Sequence, residues 1–246
     1  MPDPSSPRPQ PLAGRRSRLP YVLLGVFALV VLVGTAAWFL FLKGSSQPPL
    51  TISDCKRAGT GKVVPPAALA GGWKVVPGTD GCATTAGYRV KEDFAAVGRE
   101  TTANGRTSQV TGGFTVAGTQ VTTASFVVDM TTLHSDQSRR DDVIHTRALE
   151  TDRFPQAKFT LTSPVSIPTI TEGVAFDVAA RGTLTLHGVT KAVTITLHAK
   201  LTGNTVTVQG SAPVHMADYG ISPPTIGGFV SVADNGSFEF LVSLQK

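Results

Sequence analysis

Apolar and polar positions alternate strictly along residues 182–201, GTLTLHGVTKAVTITLHAKL. Leu184 and Leu186 share one face against Thr183, Thr185 and His187, and beyond Gly188-Val189-Thr190 the residues Val193, Ile195, Leu197, Ala199 and Leu201 share the other arm's face. A period of two with one apolar face predicts a half-buried antiparallel hairpin. The same pattern predicts strands over 86–91, 107–116, 119–130, 157–162, 174–186, 205–214 and 236–244. Their apolar faces carry Tyr88 and Val90, then Phe114, then Ala124, Phe126, Val128 and Met130, then Phe159, and finally Phe238, Phe240, Val242 and Leu244. Ala117-Gly118, Asn104-Gly105 and Asn235-Gly236 supply turn residues that tolerate positive φ. One helix is predicted, over about 139–149, opened by the capping-box spacing Ser138-x-x-Asp141 and buried through Val143, Ile144 and Ala148. Many short strands with one helix predict an all-β barrel or sandwich. The apolar faces either pack a solid core or line a cavity.

The N-terminal fifth follows another rule. Residues 1–20 hold six prolines without apolar periodicity and read as a disordered tail. Tyr21–Leu42 is a run of 22 residues without a charge. As a helix it measures about 33 Å, enough to cross a bilayer's hydrocarbon core. The small residues Thr35-Ala36-Ala37 would place a signal cleavage site inside the apolar run, so an uncleaved anchor is the expectation. Arg8, Arg15, Arg16 and Arg18 precede the span and Lys43 alone follows closely, which puts the tail in the cytoplasm and the rest outside. Residues 43–70, rich in Gly, Ser, Pro and Ala, read as an extracytoplasmic spacer, leaving 71–246 as the folded domain.

Charge and candidate chemistry narrow the function. The tail carries most of the formal +5, and no basic stretch with interleaved aromatics appears beyond it, so nucleic acid is not an expected partner. Cys55 and Cys82, both in the exported part and 27 positions apart, predict a structural disulfide stabilising by about 3.5 kcal/mol on the chain-entropy model. The five histidines show no zinc spacing and the chain has no G-x-S-x-G, so no metal, no cofactor and no catalytic residue is expected. Arg140 beside Asp141 has two readings. The pair recognises a polar head group, or it is an ion pair that anchors the helix to a strand.

At this level the residues match a known pattern. SRRDDVIHTRALETDRFPQAKFTL resembles the YceI-like family, with Arg140, Asp141, Phe154, Pro155 and Phe159 in the motif places. GTLTLHGVTKAVTI is similar to that family's strand–turn–strand signature through Leu184, Leu186, His187, Gly188 and Lys191, and Asp218-Tyr219-Gly220-Ile221 to its closing segment. Gly87–Glu92 and Val97-Gly98-Arg99 look like the membrane-anchored actinobacterial branch, in which this Arg-Val-Lys-Glu segment stands where other members of the family carry an apolar strand ending in His. Any ligand contact of that His therefore does not transfer.

The resemblance implies a lipocalin-like antiparallel barrel of about eight strands with one short helix, which the single transmembrane helix read from Tyr21–Leu42 precedes. It implies a barrel that encloses a polyisoprenoid or other long-chain lipid and is not an enzyme. The lining expected is Tyr88, Val90, Phe114, Ala124, Phe126, Val128, Met130, Phe159, Leu184, Leu186, Ile195, Leu197, Phe238 and Phe240. A homodimer is compatible with the pattern. The competing readings are a solid-cored interaction domain and an enzyme acting on a bound lipid.

Overall fold

The computed structural model describes Leu29, Val31–Val33 and residues 47–246 apart from 57, 80, 95–97 and 227–229. The expected tail and nearly all of the Tyr21–Leu42 span lie outside the described residues. Among the described residues no helix is long and apolar enough to cross a membrane. Residues Ser45–Lys246 make one unit.

Its strands are β1 (Val63–Val64), β2 (Gly71–Val76), β3 (Thr85–Phe94), β4 (Arg99–Thr107), β5 (Val110–Ala117), β6 (Gln120–Asp129) and β7 (Gln156–Leu161). Then follow β8 (Val165–Ser166), β9 (Ile170–Thr171), β10 (Phe176–Leu186), β11 (Val189–Thr202), β12 (Thr205–His215), β13 (Thr225–Ile226) and β14 (Val230–Gln245). The order β12-β11-β10-β7-β6-β5-β2-β14 closes because β14 pairs back onto β12, so eight strands form an antiparallel barrel. Strand β14 has a divided edge. Ser243–Gln245 pair with β2, while Val230–Leu241 pair with β3, which carries β4 as an outer partner. The opening hairpin is β10–β11, with Leu186 opposite Val189. Its two turn residues are His187 (φ 51°) and Gly188 (φ 75°), the double positive φ of the tight turn that suits strand twist. His187 therefore sits in the turn, not on the polar face of the strand.

Three sequence expectations are corrected here. Strand β4, RETTANGRT, is polar and was not expected as a strand, and Asn104-Gly105 lies inside it, not in a turn. Asn235-Gly236 is no hairpin either. It forms a bulge within β14, where the register against β3 shifts between Val232 and Gly236. The capping box is absent: the helix α1 (Ser138–Val143) has Gln137 at its N-cap without a side-chain bond, and it continues as one π-helical turn over Ile144–Ala148.

The segment read as a spacer packs on the barrel from Gln47 onward. Leu50 and Ile52 cover Leu241 on the outer face of β14, beside the disulfide that joins Cys55 to Cys82. Buried Lys200 donates to the Cys55 carbonyl at 2.9 Å. On the same face Glu239, 4 % exposed, accepts from Arg89 and Arg106, whose guanidinium groups also donate to Gln47 and Pro48. This strap explains why β14 is buried on both faces near its end. Further on, β1 pairs with β9 and Leu69 is buried with Trp73, whose indole N–H donates to the Leu69 carbonyl at 2.9 Å. Burial and long-range pairing, not composition, decide that this Gly/Pro-rich stretch is ordered.

Candidate functional site

The inner face of the barrel encloses apolar space in three successive chambers. The first, about 100 Å³, is bounded by Leu69 and Trp73 at one end and contains Phe114, Ala124, Phe126, Phe159 and Leu197 in its wall. The second, about 80 Å³, shares Phe126, Phe159 and Leu197 with the first and adds Val128, Leu184, Ile195, Phe238 and Phe240. The third, about 70 Å³, meets the second at Phe238 and is lined by Tyr88, Val90, Met130 and Leu186 beneath Ile144, Ala148 and Leu149 of the helical segment. Each residue expected to line the lumen is found on one of these walls. The sequence reading missed Trp73, Phe176, Val178, Val206 and Val208, which also line the space. Trp73 lies in a strand that the Gly-rich Gly71-Gly72 start conceals, and the others lie on predicted strands at positions that the period-two rule includes.

These volumes carry a physical meaning. An apolar cavity of about 150 Å³ stays dry and accepts the six carbons of benzene, so chambers of about 100, 80 and 70 Å³ each have room for roughly three to four carbons of an apolar chain. Aromatic rings partition the lumen, and glycines on neighbouring strands let them lie against the wall. A Cβ on Gly210 would stand 2.6 Å from the tip of the Phe240 ring, and one on Gly182 would stand 2.5 Å from the Phe159 ring. Because their glycine neighbours have no side chain, these rings lean aside instead of filling the barrel axis. Trp73 and Phe114 stack at 5.8 Å in the first chamber.

A polar clasp ties the helical segment above the third chamber to β3. Arg140, 5 % exposed, gives its Nε and Nη2 to Glu92 at 3.0 and 3.1 Å, and its Nη1 to Asp136 and Ser135. Glu92 is 2 % exposed and follows Tyr88 and Val90 on the inward face of β3. Burial works against the Arg140 charge, but the bonds and charges of Glu92 and then Asp136 outweigh it and hold its pKa above the usual value. Arg140 thus links the helix to β3 through Glu92, with its neighbour Asp141 taking no part in that ion pair. Asp141 instead accepts from the Ser135 backbone N–H at 2.9 Å. A sequence neighbour on a helix points elsewhere, and only the tertiary fold brings Glu92, 48 positions away, under the guanidinium.

His187 makes a second clasp at this end. Its ring bonds the Tyr219 carbonyl at 3.1 Å and the Glu150 carboxylate at 2.9 Å, and lies 4.3 Å from the Phe154 ring. It ties the β10–β11 turn to both segments that cover the third chamber.

Tyr88 differs from these satisfied groups. Its ring lies over Gly105 of β4, and its buried hydroxyl is the one buried side-chain polar atom among the described residues that makes no hydrogen bond. Burial pushes its pKa well above the usual tyrosine range, opposed by the nearby Arg140 cation.

The comparisons decide the family. The profile of the YceI-like domain matches residues 80–244, two thirds of the chain. The chain belongs to the YceI-like family. Among solved structures, a polyisoprenoid binding domain from Saccharophagus degradans implicated in plant cell wall breakdown is similar at 16 % identity and TM-score 0.53, over 70 % of this chain and 97 % of that one. Burkholderia cenocepacia BcnA is similar at 17 % identity and TM-score 0.49, over 65 % of this chain and 95 % of that one. The likeness to the Saccharophagus domain supports the barrel fold. No curated protein matches the chain. The YceI-like motif residues now have physical roles. Arg140 forms one clasp, His187, Phe154 and Tyr219 form the other, and Phe159, Leu184 and Leu186 line the lumen.

Proposed function

We propose that this YceI-like chain is a binding module that encloses a polyisoprenoid or similar long-chain lipid for storage, shielding or transfer. The three adjoining apolar chambers on the inner face of the barrel carry the reading, because a solid-cored interaction domain has no use for them. Burying one five-carbon unit is worth about 3–4 kcal/mol gross, at ~0.8 kcal/mol per carbon. Several units together offset the costs of association without a polar anchor. The similar Saccharophagus domain is a polyisoprenoid binding domain, which supports the same ligand class here. A lumen completed by one chain requires no second copy, and the reading is of binding without turnover.

The barrel is tethered to the cell membrane by Tyr21–Leu42 and faces the extracytoplasmic side, in the manner of the membrane-anchored actinobacterial branch. The charge-free span, the arginines before it and a disulfide suited to an oxidising compartment support this. The test is native mass spectrometry of the full chain purified from its own membranes. A co-purifying isoprenoid that is released on unfolding is expected, and an empty protein with no extractable lipid would overturn the reading. Protease added to intact cells should remove the barrel and spare the tail.

A further inference from the structure

The lumen does not account for a second enclosed space, on the outer side of the barrel wall. Along β11, β12 and β14 the apolar residues Leu201, Val206, Val208 and Val242 point into the lumen, so their neighbours Thr202, Thr205, Thr207 and Ser243 point outward. With Gln245 they floor a chamber of about 270 Å³, roofed by Pro77–Thr79 and Cys82.

The roof is fastened to the floor. Ser243 Oγ donates to the Cys82 carbonyl at 2.8 Å, and the Cys82 N–H donates to the Thr79 carbonyl at 2.9 Å. Gly78 has φ +73°, and a Cβ there would run into the Cys82 carbonyl oxygen, so only glycine lets the segment fold this tightly. The disulfide to Cys55 ties the same roof residue to the strap.

The chamber presents polar groups with unused capacity. Thr202 and Thr207 are 7 % and 4 % exposed, and neither side chain makes a hydrogen bond among the described residues. Their hydroxyls, unlike that of Tyr88, keep contact with the chamber. Thr205 Oγ1 accepts from Gln245 Nε2 at 2.9 Å, which leaves the Thr205 hydroxyl proton and the Gln245 amide oxygen to serve a ligand.

Among the described residues no charged side chain lines this space. Desolvating an ion here would go uncompensated, whereas groups that both donate and accept match the hydroxyls of a polyol. Size narrows the class. At the packing of benzene in a cavity of about 150 Å³, the chamber holds about eleven non-hydrogen atoms, the size of one monosaccharide ring. Val76 and Pro77 supply apolar surface for the C–H face of such a ring.

We propose that this outer chamber binds an uncharged monosaccharide unit, with the Thr202 and Thr207 hydroxyls as its hydrogen-bonding partners. The site stands apart from whatever fills the lumen, because the wall of β11, β12 and β14 lies between them.

The experiment titrates D-xylose, D-xylonate and xylotriose into the full chain, held in a detergent without sugar groups and followed by saturation-transfer and amide-shift NMR. Xylose is expected to bind with a millimolar Kd and to shift amides around Thr79, Thr202, Thr207 and Ser243. Xylonate, which carries a carboxylate, should bind roughly tenfold more weakly or not at all. Xylotriose binding as tight as xylose assigns the site to the end of a glycan, and its exclusion assigns it to a free sugar. Thr202→Val and Thr207→Val keep the branched shape and should each weaken xylose roughly two- to tenfold, as expected for one lost neutral hydrogen bond. Neither should lower Tm, because neither hydroxyl bonds the protein. No xylose binding at tens of millimolar overturns the proposal and leaves a chamber for water only. Xylose affinity retained in full by both valine variants, amide shifts confined to other regions, or xylonate binding as tight as xylose overturns it as well. Should a variant fail to fold, the wild-type shift map decides the location by itself.

Discussion

Gly210→Ala is the most direct test of whether the barrel holds usable space. The added Cβ would stand 2.6 Å from Phe240 Cζ and 3.1 Å from Leu197 Cδ2, both far ends of side chains. Carbon atoms rest at about 3.5–4.0 Å, so the ring tip must swing by about 1 Å. Gly210 has no positive φ, so the backbone accepts alanine. The entropic gain of Gly→Ala, about 0.4–1 kcal/mol, opposes an off-rotamer cost of about 0.5–1.5 kcal/mol. The net change is within about 1 kcal/mol, or roughly 2–4 °C in Tm for a domain of this size. The space for the swing is the second chamber of about 80 Å³, which Phe240 lines. Excluding the roughly three carbons that this chamber holds forfeits about 2.4 kcal/mol gross, at ~0.8 kcal/mol per carbon, so lipid affinity should fall by about tenfold, allowing for relaxation of the lumen. Calorimetry on lipid-free protein and equilibrium binding of a C20 isoprenoid hydrocarbon read the two effects separately. Adding Phe240→Leu to Gly210→Ala should restore uptake. A loss of several kcal/mol with uptake intact would refute the reasoning, because it would mean that the ring has nowhere to go.

Two further outcomes follow from the third chamber. Arg140→Met leaves Glu92 buried without its cation and should cost about 3–5 kcal/mol, a fall of roughly 6–20 °C. Arg140→Met with Glu92→Leu should recover most of it, and a single variant that melts like the wild type would show that the clasp contributes nothing. Burial raises the Tyr88 pKa in the folded state, so above about pH 10, where an unfolded tyrosine ionises, the unfolded chain binds fewer protons and stability falls as pH rises. Tyr88→Phe should make that decline shallower by up to about 1.4 kcal/mol per pH unit, and denaturant melts at pH 9–11 with unchanged slope would reject the burial of the phenol.

The period-two alternation by itself determined which side chains face inward. That pattern is local: once a strand forms, alternate residues must point to opposite faces whatever the neighbours are. Leu184, Ile195, Ala124 and Phe238 were assigned to the lumen side without knowing which strand pairs with which, and the Cys55–Cys82 bridge followed from two cysteines with no other partner. Partner choice is not local, and there the tertiary structure decided. Strand β4 was illegible because its residues are polar and its inner face is completed by the Tyr88 ring lying over Gly105. Asn235-Gly236 carries a turn's composition but pairs on both sides within β14, so a local preference became a bulge. The stretch after Gln47 has a linker's composition, and it is ordered only because Glu239, Leu241 and Lys200 wait for it on the barrel. Glu92 beneath Arg140 and the unpartnered hydroxyl of Tyr88 exist only after β3 and α1 meet. Each depends on contacts between segments dozens of residues apart, which a one-dimensional pattern does not encode.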